Sequence, residues 1–451
     1  MTNLKISNTL TRTKELFKPL DNKNITMYAC GPTVYDSPHV GNARSLVVFD
    51  LLFRVLKKLY GEKNVTYVRN ITDIDDKIIN IAKEKKLQID QVTSNVTKEF
   101  HLACNLLNCL KPTFEPKATE HVNEMIKMTE SLIKKGFAYV NEDHVYFAIS
   151  TYKNYGKLSN KNLNELKAGT RVEISNLKKN PLDFVLWKPS EENDPGWNSP
   201  WGRGRPGWHL ECSVMSEKYL GKIFDIHGGG LDLIFPHHEN EIAQTCCNNS
   251  NEKMANYWVH NGFLNMGKEK MSKSLGNIIS INSAIDEYNG QVVRLALLSS
   301  HYKQPLDWNK DLLERQKKIL NKWYSLYEDQ VHLEKSNDCF DYLLDDLNTP
   351  GYISKLHELY NDASKGDGNK KNSFNNACRL IGIFNENEIK WNNYKKKSVK
   401  LTEKSIMVKI NERLIAREKG DFELADKIRN ELDQEGVLIE DKKNKTEWKY
   451  K

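Results

Sequence analysis

Residues 25–68, ITMYACGPTVYDSPHVGNARSLVVFDLLFRVLKKLYGEKNVTYV, decide the fold because two apolar segments flank one long amphipathic segment. Ile25 to Cys30 and Val65 to Val68 have the composition of buried strands. Between them, apolar residues recur at helical spacing from about Ala43 to Tyr60. A strand, a helix and a second strand of these lengths form a crossover unit of a parallel sheet. The stretch therefore predicts an α/β, Rossmann-type domain.

The bulk composition limits the class of protein. The chain has 451 residues, 39% hydrophobic and 28% charged, which favours a soluble, cytoplasmic protein of several domains. Its longest apolar stretch, Leu46 to Leu56, is interrupted by two charges and is far shorter than the ~20 residues that span a membrane. Eight scattered cysteines without a CxxC pair are typical of reduced thiols. The net charge of +7 permits an anionic partner such as nucleic acid without requiring one.

The middle of the chain predicts an insertion, after which the first sheet resumes. A helical pattern from Thr119 to Lys135 and an alternating pattern from Phe137 to Ile149 predict a helix and a hairpin. We place both in an insertion that runs from Thr119 to about Gly204. Ile223 to Ile226 predicts a strand that returns to the first sheet, and a helix is expected from about His237 to Cys247.

The last third of the chain is mainly helical. Helices are expected from Asp307 to about Phe384, and the polar, basic stretch Asn392 to Lys400 has the composition of a linker. The tail predicts two amphipathic helices, Thr402 to Arg417 and Asp421 to Leu432, followed by a short strand at Val437 to Ile439. The last third therefore predicts an α-helical bundle and then a small α+β domain.

Two short motifs have the composition of phosphate-binding segments. His39-Val40-Gly41-Asn42 stands at a strand-to-helix junction, where glycine permits close backbone approach and free N–H groups attract phosphate. Lys270-Met271-Ser272-Lys273-Ser274 supplies two lysines that can neutralise a triphosphate. Taken singly, each motif also fits an ordinary surface loop.

A third group of residues has the chemistry of a metal site. His237 and Glu241 lie four residues apart on a predicted helix and so share one face. Cys30 ends the first predicted strand, and Cys212 lies in the segment WHLEC. Thiolate, imidazole and carboxylate are the ligands that zinc takes in proteins. Spacing alone does not decide the ligand set, and two further residues are rival ligands: His238 and Cys246.

Together these motifs resemble the class I aminoacyl-tRNA synthetases. His39 to Asn42 is similar to their first signature, although many members have a second histidine where this chain has Asn42. Lys270 to Ser274 matches the second signature in full. Four segments resemble the cysteine-specific branch of that class: CGPTVYD at 30–36, NITDIDDK at 70–77, GWHLEC at 207–212, and the run from Phe224 to Glu241. The resemblance extends over nearly the whole chain.

The resemblance implies a site for each substrate. One zinc ion would be held by Cys30, Cys212, His237 and Glu241. ATP, with Mg²⁺, would lie in a catalytic site whose residues are His39, Gly41, Asn42, Lys270 and Lys273. Three residues would surround the cysteine substrate: Thr72, Trp208 and Asp232.

The implied reaction has two steps. Cysteine and ATP would give cysteinyl-adenylate and pyrophosphate, and cysteine would then pass to the 3′ end of tRNA(Cys). Because a thiolate binds zinc far better than a neutral hydroxyl does, zinc would separate cysteine from serine. The family leans towards monomers, so a monomer is expected.

The patterns and the resemblance together imply a domain organisation. The expected domains are 1–118 and 205–265 for the two halves of the catalytic domain, 119–204 for the connective insertion, 266–310 for the second signature and a stem-contact region, 311–391 for a tRNA-binding helical bundle, and 401–451 for a small anticodon-side domain.

Two rival functions keep part of this chemistry. A ligase that joins activated cysteine to an amino sugar would share the zinc and ATP motifs, but the long helical region favours tRNA as the acceptor. A non-catalytic zinc- or tRNA-binding paralogue would share the fold. The intact lysines and metal ligands favour an enzyme.

Overall fold

The computed structural model describes residues 4–161, 176–267, 269–270, 278–332, 339–397, 399, 401–442 and 445–450. Its internal contacts divide the chain into two units. The first contains Met1–Asn309 with Ser336–Lys355, and the second contains Lys310–Lys335 with Leu356–Lys451. Among the described residues, no helix combines the length and the apolar character that crossing a membrane requires.

The first unit contains most of the strands and the second unit most of the later helices. The strands are β1 (Lys5–Asn8), β2 (Thr13–Leu16), β3 (Ile25–Ala29), β4 (Val65–Arg69), β5 (Ala138–Asn141), β6 (His144–Phe147), β7 (Phe184–Pro189), β8 (Gly204–Pro206), β9 (Phe224–Gly230), β10 (Ala255–Asn261), β11 (Leu264–Met266), β12 (Glu269–Lys270), β13 (Leu306–Asp307), β14 (Val437–Lys442) and β15 (Lys445–Tyr450). The α-helices are α1 (Val40–Tyr60), α2 (Asp76–Lys85), α3 (Ile89–Leu106), α4 (Val122–Lys134), α5 (Trp208–Leu220), α6 (Glu239–Asn249), α7 (Ile281–Tyr288), α8 (Gly290–Leu298), α9 (Lys310–Trp323), α10 (Phe340–Leu344), α11 (Thr349–Ala363), α12 (Gly368–Leu380), α13 (Glu388–Lys397), α14 (Glu403–Glu418) and α15 (Phe422–Gln434).

The centre of the first unit is a parallel four-stranded sheet in the order β10-β9-β3-β4. All five residues of β3 are buried, as a strand covered on both faces requires. The α/β, Rossmann-type prediction is confirmed, together with both strands and the helix of residues 25–68.

The winding of this sheet reverses between β3 and β9. From β3 the chain continues through α1 to β4, whereas from β9 it continues through α6 to β10 on the opposite side. Open parallel sheets bind their ligands at the carboxyl ends of the strands beside such a reversal. The fold therefore places a binding crevice after Cys30 and after Gly230.

The insertion forms an antiparallel sheet of its own, in the order β5-β6-β7-β8. The predicted hairpin is confirmed, with Asn141 paired to His144. The sequence did not reveal β7 and β8, nor the N-terminal hairpin β1-β2 and helix α3. The four strands have three to six residues each, too few to show a clear alternation of apolar and polar residues.

In the second unit, the predicted linker Asn392 to Lys400 is wrong as far as Lys397, because α13 extends to that residue. The reason is one buried side chain: Trp391 is fully buried and stacks on Tyr324, with ring centroids 4.5 Å apart. That contact anchors a helix whose remaining residues are polar enough to suggest a linker.

The two predicted tail helices and the following strand are confirmed as α14, α15 and β14. The sequence missed β15, which pairs with β14 and sets Trp448 opposite Ile439. Trp448 packs against the small apolar core of this region.

We predict that the buried ion pair between Asp50 and Arg294 is important for stability. Their side chains are 2% and 0% exposed, and Arg294 also donates to the carbonyl of Leu107 at 2.9 Å. Asp50→Ala would leave the guanidinium buried without its carboxylate and should lower the free energy of unfolding by roughly 3–5 kcal/mol. Urea unfolding followed by fluorescence measures this.

Glu124→Ala, in the same unit, is the control. It breaks the exposed pair of Glu124 with Lys218, whose side chains are 36% and 44% exposed. We expect a much smaller change for this variant. Equal effects of the two substitutions would contradict the assignment.

Candidate active site

The binding crevice begins with a close backbone contact beside β3. The Gly31 N–H donates to Oδ1 of Asn70 at 2.8 Å. A Cβ atom at position 31 would lie 1.6 Å from the carbonyl oxygen of Asn70. Only glycine fits here, and its absence of a side chain lets the loop after β3 pass against the loop after β4.

Four side chains meet at this crevice, and they are the four predicted metal ligands. Cys30, Cys212, His237 and Glu241 present one donor atom each, all within 4.8 Å of one another. The sulfur atoms of Cys30 and Cys212 lie 3.7 Å apart, and His237 Nε2 lies 3.0 Å from Glu241 Oε1. Cys30 is half-buried and the other three are buried.

Different parts of the fold bring these four donors together. Cys30 follows β3, and Cys212 lies on the second turn of α5. His237 lies in a kinked turn, Ile234–His238, whose backbone is extended at Phe235; the turn leads into α6, where Glu241 lies in the first turn. His237 and Glu241 are therefore in contact, although the helix expected from His237 begins only at Glu239 and His237 lies in the turn before it.

The structure separates the two rival ligands. His238 belongs to a second group of four donors, whose atoms also lie within 4.8 Å of one another. This group consists of Cys30, His227, His238 and Glu241, so it shares Cys30 and Glu241 with the first group. Cys246 belongs to neither group among the described residues; it is buried beside Tyr152.

Sequence reasoning missed His227. It lies in β9, fully buried, with Nε2 2.7 Å from Glu241 Oε2. The available signal in FDIHGGG was a histidine directly after an apolar predicted strand and directly before three consecutive glycines. His238 continues the network through Nδ1, which lies 2.8 Å from His260 Nε2.

In this buried group, the neighbouring side chains stabilise the charged forms of Glu241 and Cys212. Burial alone would raise the pKa of Glu241, but the nearby His227 and His237 outweigh it and hold that pKa well below its usual value. Burial would likewise raise the pKa of Cys212, yet hydrogen bonding with Cys30 and His237 lowers it to about 6. The pKa of Cys30 is raised, mainly by burial. Two thiols, an imidazole and a carboxylate in this arrangement can hold a metal ion.

A cavity of about 340 Å³, which we call the main cavity, adjoins this group at Cys30. Its lining includes Cys30, His39, Gly41, Asn42, Trp208 and Asp232. It brings together residues from the first signature, the group of four donors and the predicted cysteine site. Thr72 does not line this cavity; it is buried and donates to Glu211 Oε2 at 2.7 Å.

The first signature caps α1. The His39 ring accepts from the Asn42 N–H at 3.3 Å, and Asn42 Oδ1 accepts from the His39 N–H at 3.0 Å. A Cβ on Gly41 would lie 2.9 Å from the His39 ring, so the absence of a side chain at Gly41 leaves room for the ring. His39 and Asn42 therefore form a reciprocal capping box at the start of α1.

Two aromatic contacts complete the site. Trp208 is 38% exposed and stacks on His237, with ring centroids 4.3 Å apart. Lys77, which the sequence did not single out, lines the main cavity with its ammonium 5.3 Å from the centre of the Tyr35 ring. Of the second signature, Lys270 lies in β12, and Lys273 lies outside the described residues.

Residues 16–318 match the family model described as tRNA synthetases class I (C) catalytic domain. A cysteine–tRNA ligase of Pelagibacter ubique is 56% identical over 449 residues, which cover 99% of each chain. The chain belongs to the cysteine–tRNA ligase family. The cysteine–tRNA ligase of Rickettsia prowazekii is 48% identical, covering 98% of each chain. The chain is therefore an enzyme of a ligase family, as the resemblance implied.

More distant solved structures share the fold. The methionyl-tRNA synthetase of Mycobacterium tuberculosis has a TM-score of 0.58 at 14% identity, covering 80% of this chain and 89% of that one. The LeuRS of Agrobacterium radiobacter K84 has a TM-score of 0.57 at 10% identity, covering 81% and 83%. At these identities the likeness concerns the class I fold.

We predict that Gly31→Ala is strongly destabilising. The new methyl group would meet the Asn70 carbonyl, a backbone group that cannot rotate away, so the free energy of unfolding should fall by about 3 kcal/mol. Gly368→Ala is the matched control, because nothing lies within 4 Å of its added Cβ and its φ is not positive. The control should be neutral or stabilised by about 0.5 kcal/mol. Thermal melts of both variants measure the change in stability. Similar losses of stability in the two variants would contradict the predicted clash at Gly31.

Proposed function

We propose that the chain activates cysteine with ATP and transfers it to the 3′ end of tRNA(Cys). One observation carries the proposal: the main cavity is lined both by Cys30 of the four-donor group and by His39 and Asn42 of the first signature. A thiol-binding group and a nucleotide-binding helix start thus face one space. The family membership supports the same reaction.

The four-donor group supports zinc as the resident metal. Cys30, Cys212, His237 and Glu241 are the side-chain types that zinc takes, and they are close enough to share one ion. Zinc bound there would favour the thiolate of cysteine over the hydroxyl of serine as a further ligand. His227 holds the second oxygen of Glu241, which fixes the carboxylate for the ion.

The residues around the main cavity would orient cysteine for the first step. Trp208 forms a wall against the His237 ring, and the exposed Asp232 presents a carboxylate at the rim to the ammonium of the amino acid. Thr72 holds Glu211, the neighbour of Cys212, and so positions α5. In this role Thr72 affects the substrate site indirectly, through the position of α5.

In the first step a carboxylate oxygen of cysteine bonds to the α-phosphorus of ATP, the bond to the bridging oxygen breaks, and pyrophosphate leaves. The start of α1 offers its positive end to the phosphates, and His39 is held there by its cap with Asn42. Lys270 and Lys273, with Mg²⁺, would neutralise the charge that develops on the leaving pyrophosphate. Positioning and charge are sufficient, so no enzyme nucleophile is needed.

In the second step the ribose hydroxyl oxygen of the tRNA bonds to the carbonyl carbon of the adenylate, AMP leaves, and the hydroxyl proton passes to solvent. The helical segment 311–391 and the tail 401–451 are proposed to bind the tRNA, since the match to cysteine–tRNA ligases continues to the end of the chain.

Two assays test the proposal. Cysteine-dependent exchange of pyrophosphate into ATP separates an enzyme from a non-catalytic binder. Transfer of labelled cysteine to tRNA(Cys), compared with transfer to an amino sugar, separates the two acceptors. Exchange without transfer to tRNA would overturn the assigned acceptor, and absence of both would overturn the function.

We predict that Cys212→Ser removes the bound zinc and cysteine activation together. A hydroxyl replaces one of the two thiols, and a neutral oxygen is a poor substitute for a thiolate on this ion. Cys246→Ser is the matched control, because Cys246 is equally buried but lies in neither donor group of the described chain. Plasma mass spectrometry measures the bound zinc of each variant, and pyrophosphate exchange measures its cysteine activation. Full activity of a zinc-free Cys212→Ser protein would contradict the role of zinc.

A further inference from the structure

Arg44 is a fully buried arginine on α1, two positions after Asn42 of the first signature. Within the described part of the chain, no carboxylate forms an ion pair with it, and burial lowers the pKa of its guanidinium to about 10. Burying a cation without an anion is unfavourable, so the hydrogen bonds of Arg44 must stabilise its charge.

The hydrogen bonds of Arg44 reach two separate segments of the chain. Its Nη1 donates to the carbonyl of Phe263 at 2.5 Å. Its Nη2 donates to Ser300 Oγ at 3.2 Å, to the carbonyl of His301 at 3.3 Å and to the carbonyl of Gln304. The planar guanidinium can bind all of these oxygens at once, because its donors point in several fixed directions. Arg44 therefore joins α1 to both segments.

The first of these segments is a wall of the main cavity. Residues 261–264 line that cavity together with Asn42. The Gly262 N–H donates to the carbonyl of Tyr302 at 2.8 Å, and a Cβ atom on Gly262 would lie 2.7 Å from two further carbonyl oxygens of the second segment. The two segments therefore pack backbone against backbone, and the Arg44 guanidinium holds both of them to α1.

The same segment leads to the second signature. Strand β11 begins directly after Phe263, whose carbonyl accepts from Arg44 and also from the Leu306 N–H at 3.1 Å. In β11, Asn265 pairs with Lys270 of β12, the first residue of the second signature. Asn265 lies only two positions after the carbonyl that Arg44 holds. The position of the Lys270 backbone therefore depends on a strand that Arg44 fixes to α1.

The chain beyond the second signature also contacts the start of α1. The Val40 N–H donates to the carbonyl of Ile279 at 3.0 Å, and the Ile281 N–H donates to the carbonyl of Pro38 at 2.9 Å. The backbone on both sides of the second signature is thus tied to the segment that carries the first. On one side the link is main chain to main chain, and on the other side it includes the Arg44 side chain.

We propose that Arg44 is a positioning residue for ATP, which sets the place of the second signature relative to the first. The inference rests on the proposed function, because it concerns the step in which cysteine reacts with ATP. Arg44 is not among the described residues that line the main cavity, so it acts through the Phe263 carbonyl and β11. The four donors of the proposed zinc site lie on other elements, so cysteine binding should not depend on Arg44.

The test replaces the guanidinium with a smaller cation. Arg44→Lys keeps the charge, but one ammonium cannot bind oxygens of both segments as the planar fork does. Arg294→Lys is the matched control, because Arg294 is equally buried in the same unit but binds Asp50 and the Leu107 carbonyl. Pyrophosphate exchange gives kcat and the KM values for ATP and for cysteine. Plasma mass spectrometry gives the bound zinc, and urea unfolding gives the stability of each variant.

We expect Arg44→Lys to lower kcat/KM for ATP by about tenfold, the scale of one lost charge-assisted hydrogen bond, while KM for cysteine and bound zinc stay unchanged. Arg294→Lys should lose stability without changing kcat/KM for ATP. An unchanged kcat/KM for ATP in Arg44→Lys, an equal rise of both KM values, or an equal loss in the control would overturn the proposal. If Arg44→Lys does not fold, Ser300→Ala removes one acceptor of Nη2, and the same selective loss is required of it.

A double-mutant cycle asks whether Arg44 acts through the second signature. In a Lys270→Met background the effect of Arg44→Lys should shrink to less than about threefold, because the lysine whose backbone it positions is gone. Lys270→Arg replaces Lys270→Met if the latter has no measurable exchange. Fully additive effects would overturn the route through β11 and β12. A wild-type protein without cysteine-dependent exchange would instead refute the proposed function.

Discussion

The buried carboxylate of Glu241 is the constraint on which the active site depends. The side chain is fully buried, and a carboxylate in such a place needs positive charge and hydrogen bonds around it. His227 holds one oxygen at 2.7 Å and His237 approaches the other at 3.0 Å. The sulfur of Cys30 completes the group from the end of β3 at 3.6 Å. Strands β3 and β9 and the start of α6 must therefore keep fixed relative positions.

The reversal of winding between β3 and β9 explains why this group faces a cavity. Both strands end at the same edge of the sheet, and the chain leaves them in opposite directions. The opened crevice receives the start of α1 on one side and α5 on the other. The insertion brings Cys212 and Trp208 to the crevice, because α5 begins immediately after β8. The group of four donors and the start of α1 thus meet at one cavity as consequences of one topology.

Much of this could be predicted from the sequence, for physical reasons. Residues 25–68 have strong periodicity, so the crossover unit was readable, and the spacing of His237 and Glu241 fixed their shared face. Cys30 and Cys212 were assigned through the resemblance, since 182 residues separate them. His227 was not predicted because a single histidine in a buried strand does not alter the hydrophobic pattern of the sequence. The helix α13 escaped because a single buried residue, Trp391, anchors it among polar neighbours.

The central claim, that cysteine is selected by a zinc ion on this group, is tested most directly by X-ray absorption at the zinc edge. The purified protein should contain zinc whose sulfur ligands are the two thiolates of Cys30 and Cys212. Addition of cysteine should add one sulfur ligand, whereas addition of serine should leave the spectrum unchanged. A zinc spectrum that cysteine does not alter, or a fully active protein without zinc, would contradict the claim.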